Sequence, residues 1–523
     1  MKKLGIIVVV LAALLLVAPF GIGKLAEKRL NAGLDKAMEE IPYLKIVDRT
    51  WSGGWFTSTQ TVTFELSEMF MKSMGDKVLK DVFKKEAAEA DAAMDAEGTV
   101  YQPTADERPV AEEADDEAAA EEEASDEAAP EVTPADIAKQ VRFTMRNDVL
   151  HGPILGAAGI GLARVDSHIE LNEEIRKGIE EVFGKEPAFQ MRTRVGFFGG
   201  GTTVFKSEGR KLNTKNKDVD FSYDTFKLKL GYSKNFDEYD VDGGLPRVTF
   251  KEANKGSFAM TDLTIEGEGK RVLEELYDGD FAFKVQEIKY QPEGGGEPLL
   301  IQGAHYEGEA VTKSDLMNLS LRMGTGAIKN ADLAKFGVDV KEIHYDFSFR
   351  KLHAPTMNKM MVGFREMYSM PLEDPSKFDE AFFKPMKDNA AELLKHDPEF
   401  GIDRVGLVTP DGEIVAKGVI KLVGATVDDF TTPGAMGLIG KLDADITVEA
   451  AQKALEKFPN GATMAGAAVD GGYAKRDGDK LVCHITFKAG ELLINGKPQA
   501  IPGLGGPPPA AEEGSGEEMP PQE

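Results

Sequence analysis

Along most of this chain apolar and polar residues alternate one for one. Ile343-His344-Tyr345-Asp346-Phe347-Ser348-Phe349-Arg350 sends four apolar side chains to one face and four polar ones to the other. Val141–Met145, Asp220–Tyr223, Phe226-Lys227-Leu228-Lys229-Leu230 and Leu481–Lys488 repeat the rhythm. A period of two is that of a β-strand with one buried face, which is the habit of antiparallel sheets. Turn segments punctuate the strands: Thr409-Pro410-Asp411-Gly412, Arg476-Asp477-Gly478-Asp479 and Lys488-Ala489-Gly490-Glu491. They predict that sequence neighbours pair, as in a meander. Closer to the N-terminus, Val62, Phe64 and Leu66 alternate with Thr61, Thr63 and Glu65 after a Gly53-Gly54 turn.

Helical spacing is confined to residues 24–40, 67–85, 173–183, 332–336, 355–368, 378–396 and 448–458. Pro355 suits a first helical turn. Behind it Met357, Met360, Met361, Phe364 and Met367 recur three or four apart. Such a stripe serves either as an ordinary core face or as a groove for an apolar partner. The expected fold is α+β and β-dominated: an extended, curved antiparallel sheet with a few inserted short helices, preceded by an N-terminal transmembrane helix.

That first helix rests on Leu4–Gly23, twenty residues without a charge after Lys2 and Lys3. At the helical rise it measures roughly 30 Å, the thickness of a bilayer's hydrocarbon core. A cleaved signal peptide is the competing reading, with Gly21-Ile22-Gly23 as a poor cleavage site. Lys2 and Lys3 favour a cytoplasmic N-terminus, against Lys24, Lys28 and Arg29 on the far flank. The expectation is an uncleaved single-pass anchor in a bacterial inner membrane, the body in the periplasm and the bilayer a partner through this helix. One cysteine among 523 residues excludes an internal disulfide.

Composition changes the picture in one respect. The formal charge is −27, yet 86–136 alone contributes −18 and the tail from Gly506 another −5, leaving only −4 for the rest. The acidity is therefore local, and no basic stripe exists to neutralise phosphates, so no nucleic-acid partner is expected. The domain reading is an anchor at 1–23 and a juxtamembrane helix, strand and short helix at 24–85. An acidic disordered insert at 86–136, a β-rich body at 137–500 and a disordered Gly/Pro/Glu tail at 501–523 follow.

Chemistry is scarce. The seven histidines never fall at metal-ligand spacing, and Glu238–Gly243 resembles a calcium loop but has Thr249 where its closing glutamate belongs. Gly324–Lys329 and Gly156–Gly161 miss the phosphate- and dinucleotide-loop patterns, and no Gly-x-Ser-x-Gly elbow occurs. Cys483 sits on the apolar side of its strand, which predicts a buried core thiol. No catalytic residue, metal or cofactor is predicted.

Ser52-Gly53-Gly54-Trp55-Phe56-Thr57-Ser58 leading into one strand, and Leu150-His151-Gly152-Pro153 after another, resemble the YdgA-like family of bacterial envelope proteins. So do Leu442–Ile446 and the terminal Ile485–Pro498 segment. The link between the first two motifs is longer here than the family's by tens of residues. The resemblance implies an envelope location and a β-rich architecture, and no activity. It makes Trp55, Phe56 and His151 candidate contacts for a ligand or partner beside Met357, Met360, Met361 and Phe364. The alternative is that the aromatic pair fixes a strand and His151 caps a turn.

Three functions fit these features. The first is a non-enzymatic binding or scaffolding protein of the cell envelope, meeting another envelope protein. The second is a carrier whose concave apolar sheet face holds a lipid or other hydrophobic ligand, with Phe347, Phe349, Ile485 and Phe487 on that face and the 357–367 helix as its lid. The third is a hydrolase whose site is assembled from residues remote in sequence.

Overall fold

The computed structural model describes residues 2–41, 43–67, 142–170, 176–177, 180, 189–212, 219–369, 378–431 and 436–500, with side chains of the first helix from residue 19 to residue 38. The predicted helix at 67–85, the acidic insert, most of the predicted helix at 173–183 and the tail lie outside these residues. The helices are α1 (Lys2–Glu40), α2 (Ala331–Lys335), α3 (Ala354–Ser369), α4 (Phe378–Leu394), α5 (Val427–Thr431), α6 (Met436–Ile439), α7 (Gln452–Glu456) and α8 (Gly461–Asp470).

Strands make up most of the rest. The first group is β1 (Leu44–Gly53), β2 (Thr57–Leu66), β3 (Phe143–His151), β4 (Ala163–Glu170), β5 (Gln190–Val195), β6 (Gly201–Ser207), β7 (Arg210–Leu212), β8 (Val219–Tyr223) and β9 (Phe226–Tyr232). Long strands follow: β10 (Glu238–Glu252), β11 (Gly256–Arg271), β12 (Tyr277–Gln291) and β13 (Leu299–Lys313). Then come β14 (Leu316–Thr325), β15 (Ile328–Lys329), β16 (Glu342–His353), β17 (Glu399–Thr409), β18 (Gly412–Leu422) and β19 (Leu442–Ala451). The last are β20 (Lys475–Asp477), β21 (Lys480–Lys488), β22 (Glu491–Ile494) and β23 (Lys497–Gln499).

All belong to one open antiparallel sheet in which nearly every strand lies beside its sequence neighbours. β6 and β7 form the outgoing arm of a broken hairpin, and β8 and β9 its return. Both returning segments pair with β10, so the meander continues through them. β15 adds to β13 and β20 to β21. The turns read from sequence do what they were expected to do: β17 reaches β18 through Pro410-Asp411, and β21 reaches β22 through Ala489-Gly490. Ala489 and Gly490 both adopt positive φ, as a two-residue hairpin turn requires.

One expectation is corrected. Residues 448–458 do not form one helix: Val448–Ala451 complete β19, between β18 and β21, and only Gln452–Glu456 are helical. Ladder hydrogen bonds on both sides outweigh the helix propensity of Glu449-Ala450-Ala451. A helix that the spacing does not announce, α8, arises from Gly461-Ala-Thr-Met-Ala-Gly-Ala-Ala-Val-Asp470, which holds two glycines. Ala465 is buried and the helix packs against α7, which compensates the glycines.

Among the described residues, two buried clusters lie on one face of the sheet, and further buried residues such as Ala450, Ala451, Ala454 and Leu481 gather around α7. In the first, Ala26 of α1 meets Val149, Leu162, Ala163, Val165 and Val195, with Ile22, Leu30 and Trp51 around them. In the second, Leu276, Met317, Leu352 and Ala354 pack with Met357 of α3 and Leu393 of α4. Between them, no helix among the described residues covers β10–β13.

Candidate functional site

Cross-strand register shows what the uncovered stretch is made of. Partners in an antiparallel ladder share a face. Starting at β9, one row runs Tyr232, Tyr239, Gly269, Gly279, Ala310, Leu319, Phe349, Phe400, Ile420, Ala444, Phe487. The next row, two residues along each strand, runs Leu230, Val241, Gly267, Phe281, Gly308, Leu321, Phe347, Ile402, Gly418, Ile446, Ile485. Neither row holds a charged residue. Bulges in β16 and β17 keep this parity, which a one-residue slip would invert.

The opposite face is an ion-pair lattice. Lys229, Asp242, Glu266, Ala282, Glu307, Arg322, Asp346 and Arg404 stand in one row. Lys284 holds Glu307 at 3.0 Å, Arg404 holds Glu413 at 2.8 Å and Lys480 holds Glu449 at 2.9 Å. Asp240 and Asp242, part of the near-miss calcium loop, point to this face of β10 rather than around a loop.

On the apolar face the large side chains stay half-exposed: Phe281 41%, Tyr306 43%, Tyr345 47% and Phe349 45%. A packed core would bury them almost completely, so this face is a surface. Over it lies a groove of about 370 Å³ walled by Tyr239, Tyr277, Phe281, Leu319, Leu321 and Phe349 and floored by Gly279 and Gly308. The floor is low because side chains are missing; a Cβ on Gly308 would meet nothing closer than the Ser320 carbonyl oxygen at 3.9 Å. A second cavity of similar size lies under α1, between Leu30, Gly33, Leu34 and Ala37 and the same face at Val165, Thr203 and Leu230. Tyr232 and Tyr239, paired across β9 and β10, stand between the two. Burial pushes both phenols above their ordinary pKa.

Trp55, Phe56 and His151 come together, for a structural purpose that register decides. His151 is buried; its Nε2 is 2.8 Å from Ser58 Oγ and its Nδ1 3.0 Å from the Trp55 carbonyl oxygen. Its backbone N–H donates to the Phe56 carbonyl. Gly23 of α1 lies against the imidazole so closely that a Cβ there would strike the ring. The Trp55 ring lies 5.1 Å from that of Phe20 of the same helix, the planes tilted by 33°. The two sequence motifs thus form one clasp that pins α1 to the sheet. Both Trp55 and Phe56 remain about half exposed beside it.

The methionine stripe divides. Met360 and Met367 are buried, Met357 joins the Leu276 core, Phe364 packs on Phe382 of α4, and Met361 alone is exposed. The helix is therefore chiefly a core helix, flanking the groove at Ala310 and Leu319 rather than roofing it. Phe347, Phe349, Ile485 and Phe487 do share the apolar face. Cys483 is only part-buried on that face, and burial pushes its thiol up, away from nucleophile behaviour.

What the sequence hid is the cluster of His353, Glu392 and His396, whose ligand atoms lie within 4.8 Å of one another. The Glu392-x-x-x-His396 spacing was the one visible signal; His353 is 43 residues before His396 and joins them only through folding.

Residues 1–502 match the family model described as bacterial protein of unknown function (DUF945). The chain belongs to that family. No curated protein and no solved structure matches it. Family membership covers the clasp, the sheet and both cavities and leaves their chemistry to be read from the residues.

Proposed function

We propose that this DUF945 chain is a non-enzymatic binding protein of the bacterial envelope, anchored in the inner membrane through α1 with its body in the periplasm, and that its apolar sheet face holds an acyl chain. The observation that carries the reading is the uncharged double row from β9 to β21, part-buried along most of its length, with Phe281 and Phe349 half-exposed beside the groove. Exposed apolar area this extensive in water requires a cover, and an unbranched hydrocarbon matches a narrow groove with a glycine floor. The occupant is also favoured by continuity: the same face runs beneath α1, whose N-terminal half is the uncharged segment Leu4–Gly23.

Among the described residues no helix is long and apolar enough to cross a membrane. The side chains of residues 2–18, most of the apolar run, lie outside that description. The anchor is proposed from sequence and from an exposed cluster where α1 leaves the sheet: Phe20, Trp55 and Phe56, with Ile154 and Ile160 on the loop after His151. Aromatic and aliphatic tips gathered at one end of a body suit a bilayer interface. A scaffold for another envelope protein is the second reading, favoured by the same exposed face.

The decisive experiment uses the full chain extracted from membranes, with lipid measured by mass spectrometry and uptake of cis-parinaric acid by fluorescence. Gly308→Leu places its Cβ in open space above the groove floor, so it should abolish most uptake while leaving the melting temperature unchanged or raised. Equal uptake by the variant, or a chain that carries no lipid and takes up no probe, would move the assignment to the scaffold. N-terminal sequencing that began after Gly23 would remove the anchor.

A further inference from the structure

We infer that His353, Glu392 and His396 form a binding site for a divalent transition metal, Zn²⁺ being the best fit, which staples the ends of α3 and α4 to the sheet. His353 is the last residue of β16, and α3 begins at the next position. Glu392 lies in the last turn of α4 and His396 in the turn beyond it. Each of the three side chains offers a ligand atom within 4.8 Å of the others; the two imidazoles stack at 4.3 Å with planes 15° apart, so one ring turns about its χ2 for both nitrogens to face one ion. The two histidines are part-buried, while the Glu392 side chain is 46% exposed, so the site opens to solvent and to an ion on its carboxylate side.

The donor set selects the metal. Two imidazole nitrogens and one carboxylate oxygen suit Zn²⁺ and its neighbours, whereas Ca²⁺ and Mg²⁺ take oxygen ligands. Thr356 supplies the supporting contact such sites use: its hydroxyl is 2.8 Å from His353 Nδ1, and its side chain is fully buried. With Nδ1–H donating to that oxygen, Nε2 keeps its lone pair for an ion. Lys395, 2.6 Å from Glu392, is the competitor an incoming cation displaces. Its side chain is largely exposed and free to swing into water. Three protein ligands leave a fourth position for water.

The reading stands apart from that of the apolar face, since it uses none of the groove residues. Its consequence would bear on the groove: a metal here ties α3, which borders the groove, to α4 and to β16.

The test is Co²⁺ and Zn²⁺ titration of the full chain in detergent, with millimolar Mg²⁺ present to occupy sites made of carboxylates alone. Visible Co²⁺ ligand-field bands reaching one equivalent, displaced by Zn²⁺, and a melting temperature raised by Zn²⁺ are the expected results. His353→Gln and His396→Gln should each weaken Zn²⁺ binding by about tenfold or more, while Lys395→Met should strengthen it several-fold. Absence of Co²⁺ bands in the unmodified chain overturns the site without any variant. Zn²⁺ affinity that survives both histidine substitutions, or that Lys395→Met leaves unmoved, overturns it as well.

Discussion

Phe349 and Leu162 carry similar hydrophobic side chains and are worth very different amounts to this fold. Leu162 is fully buried beneath α1, and Leu162→Ala should cost about 2–5 kcal/mol through lost contacts and a cavity. Phe349 is 45% exposed on the open face. Phe349→Ala should therefore cost about 2 kcal/mol or less, well under the usual price of a buried phenylalanine. Chemical denaturation of the two variants side by side checks the contrast; equal losses would mean that the apolar face is closed. At the clasp, Gly23→Ala drives a methyl group into the His151 ring. It should cost about 1–3 kcal/mol through overpacking, and pairing it with His151→Ala should recover part of the loss in a double-mutant cycle. The sequence marked Trp55, Phe56 and His151 as special residues. It could not show that they meet, because Ser58 and His151 are 93 residues apart and their contact depends on the β2–β3 register.

Strands give the sheet its two unlike faces, and the charged face sets its response to acid. Glu307 is held below the usual carboxylate range mainly by a hydrogen bond from Lys284, and Glu449 likewise by Lys480. A carboxyl with a depressed folded-state pKa contributes stability above its ordinary value, and that contribution is lost as pH falls through the folded value. The partner lysines are raised, so their share is lost only at alkaline pH above the ordinary lysine value. The pairs should accordingly contribute between about pH 5 and pH 10 and fade below about pH 4. Melting temperatures of the unmodified chain and Lys284→Gln should differ most near neutrality and converge at pH 3. Salt should shrink the difference too, since both pairs are exposed. Alternation made most of these strands legible. It failed where glycine takes an apolar-face position, as at Gly267, Gly269, Gly279 and Gly308, and where Ala450-Ala451 resembled a helix.

The whole molecule is a one-dimensional stack of strands, and its cooperativity should reflect that. Each strand from β10 to β19 touches chiefly the strands on either side, and no closing contact joins β1 to β23 among the described residues. Nearest-neighbour architectures unfold in segments when local stabilities differ. The buried core under α1 and the thinly covered middle differ in this way. Scanning calorimetry should give a calorimetric enthalpy exceeding the van't Hoff enthalpy, with protection from hydrogen exchange strongest in β2–β5; a single two-state transition would contradict this.

The meander and its two-faced strands were legible in the amino-acid order because side-chain period and turn chemistry act over a few residues. The extent of the uncovered face, the clasp on α1, the α3–α4 packing and the meeting of His353 with His396 were not. Each depends on which strand lies beside which and where a helix comes to rest, and those placements are set by contacts between residues tens of positions apart that no local pattern encodes.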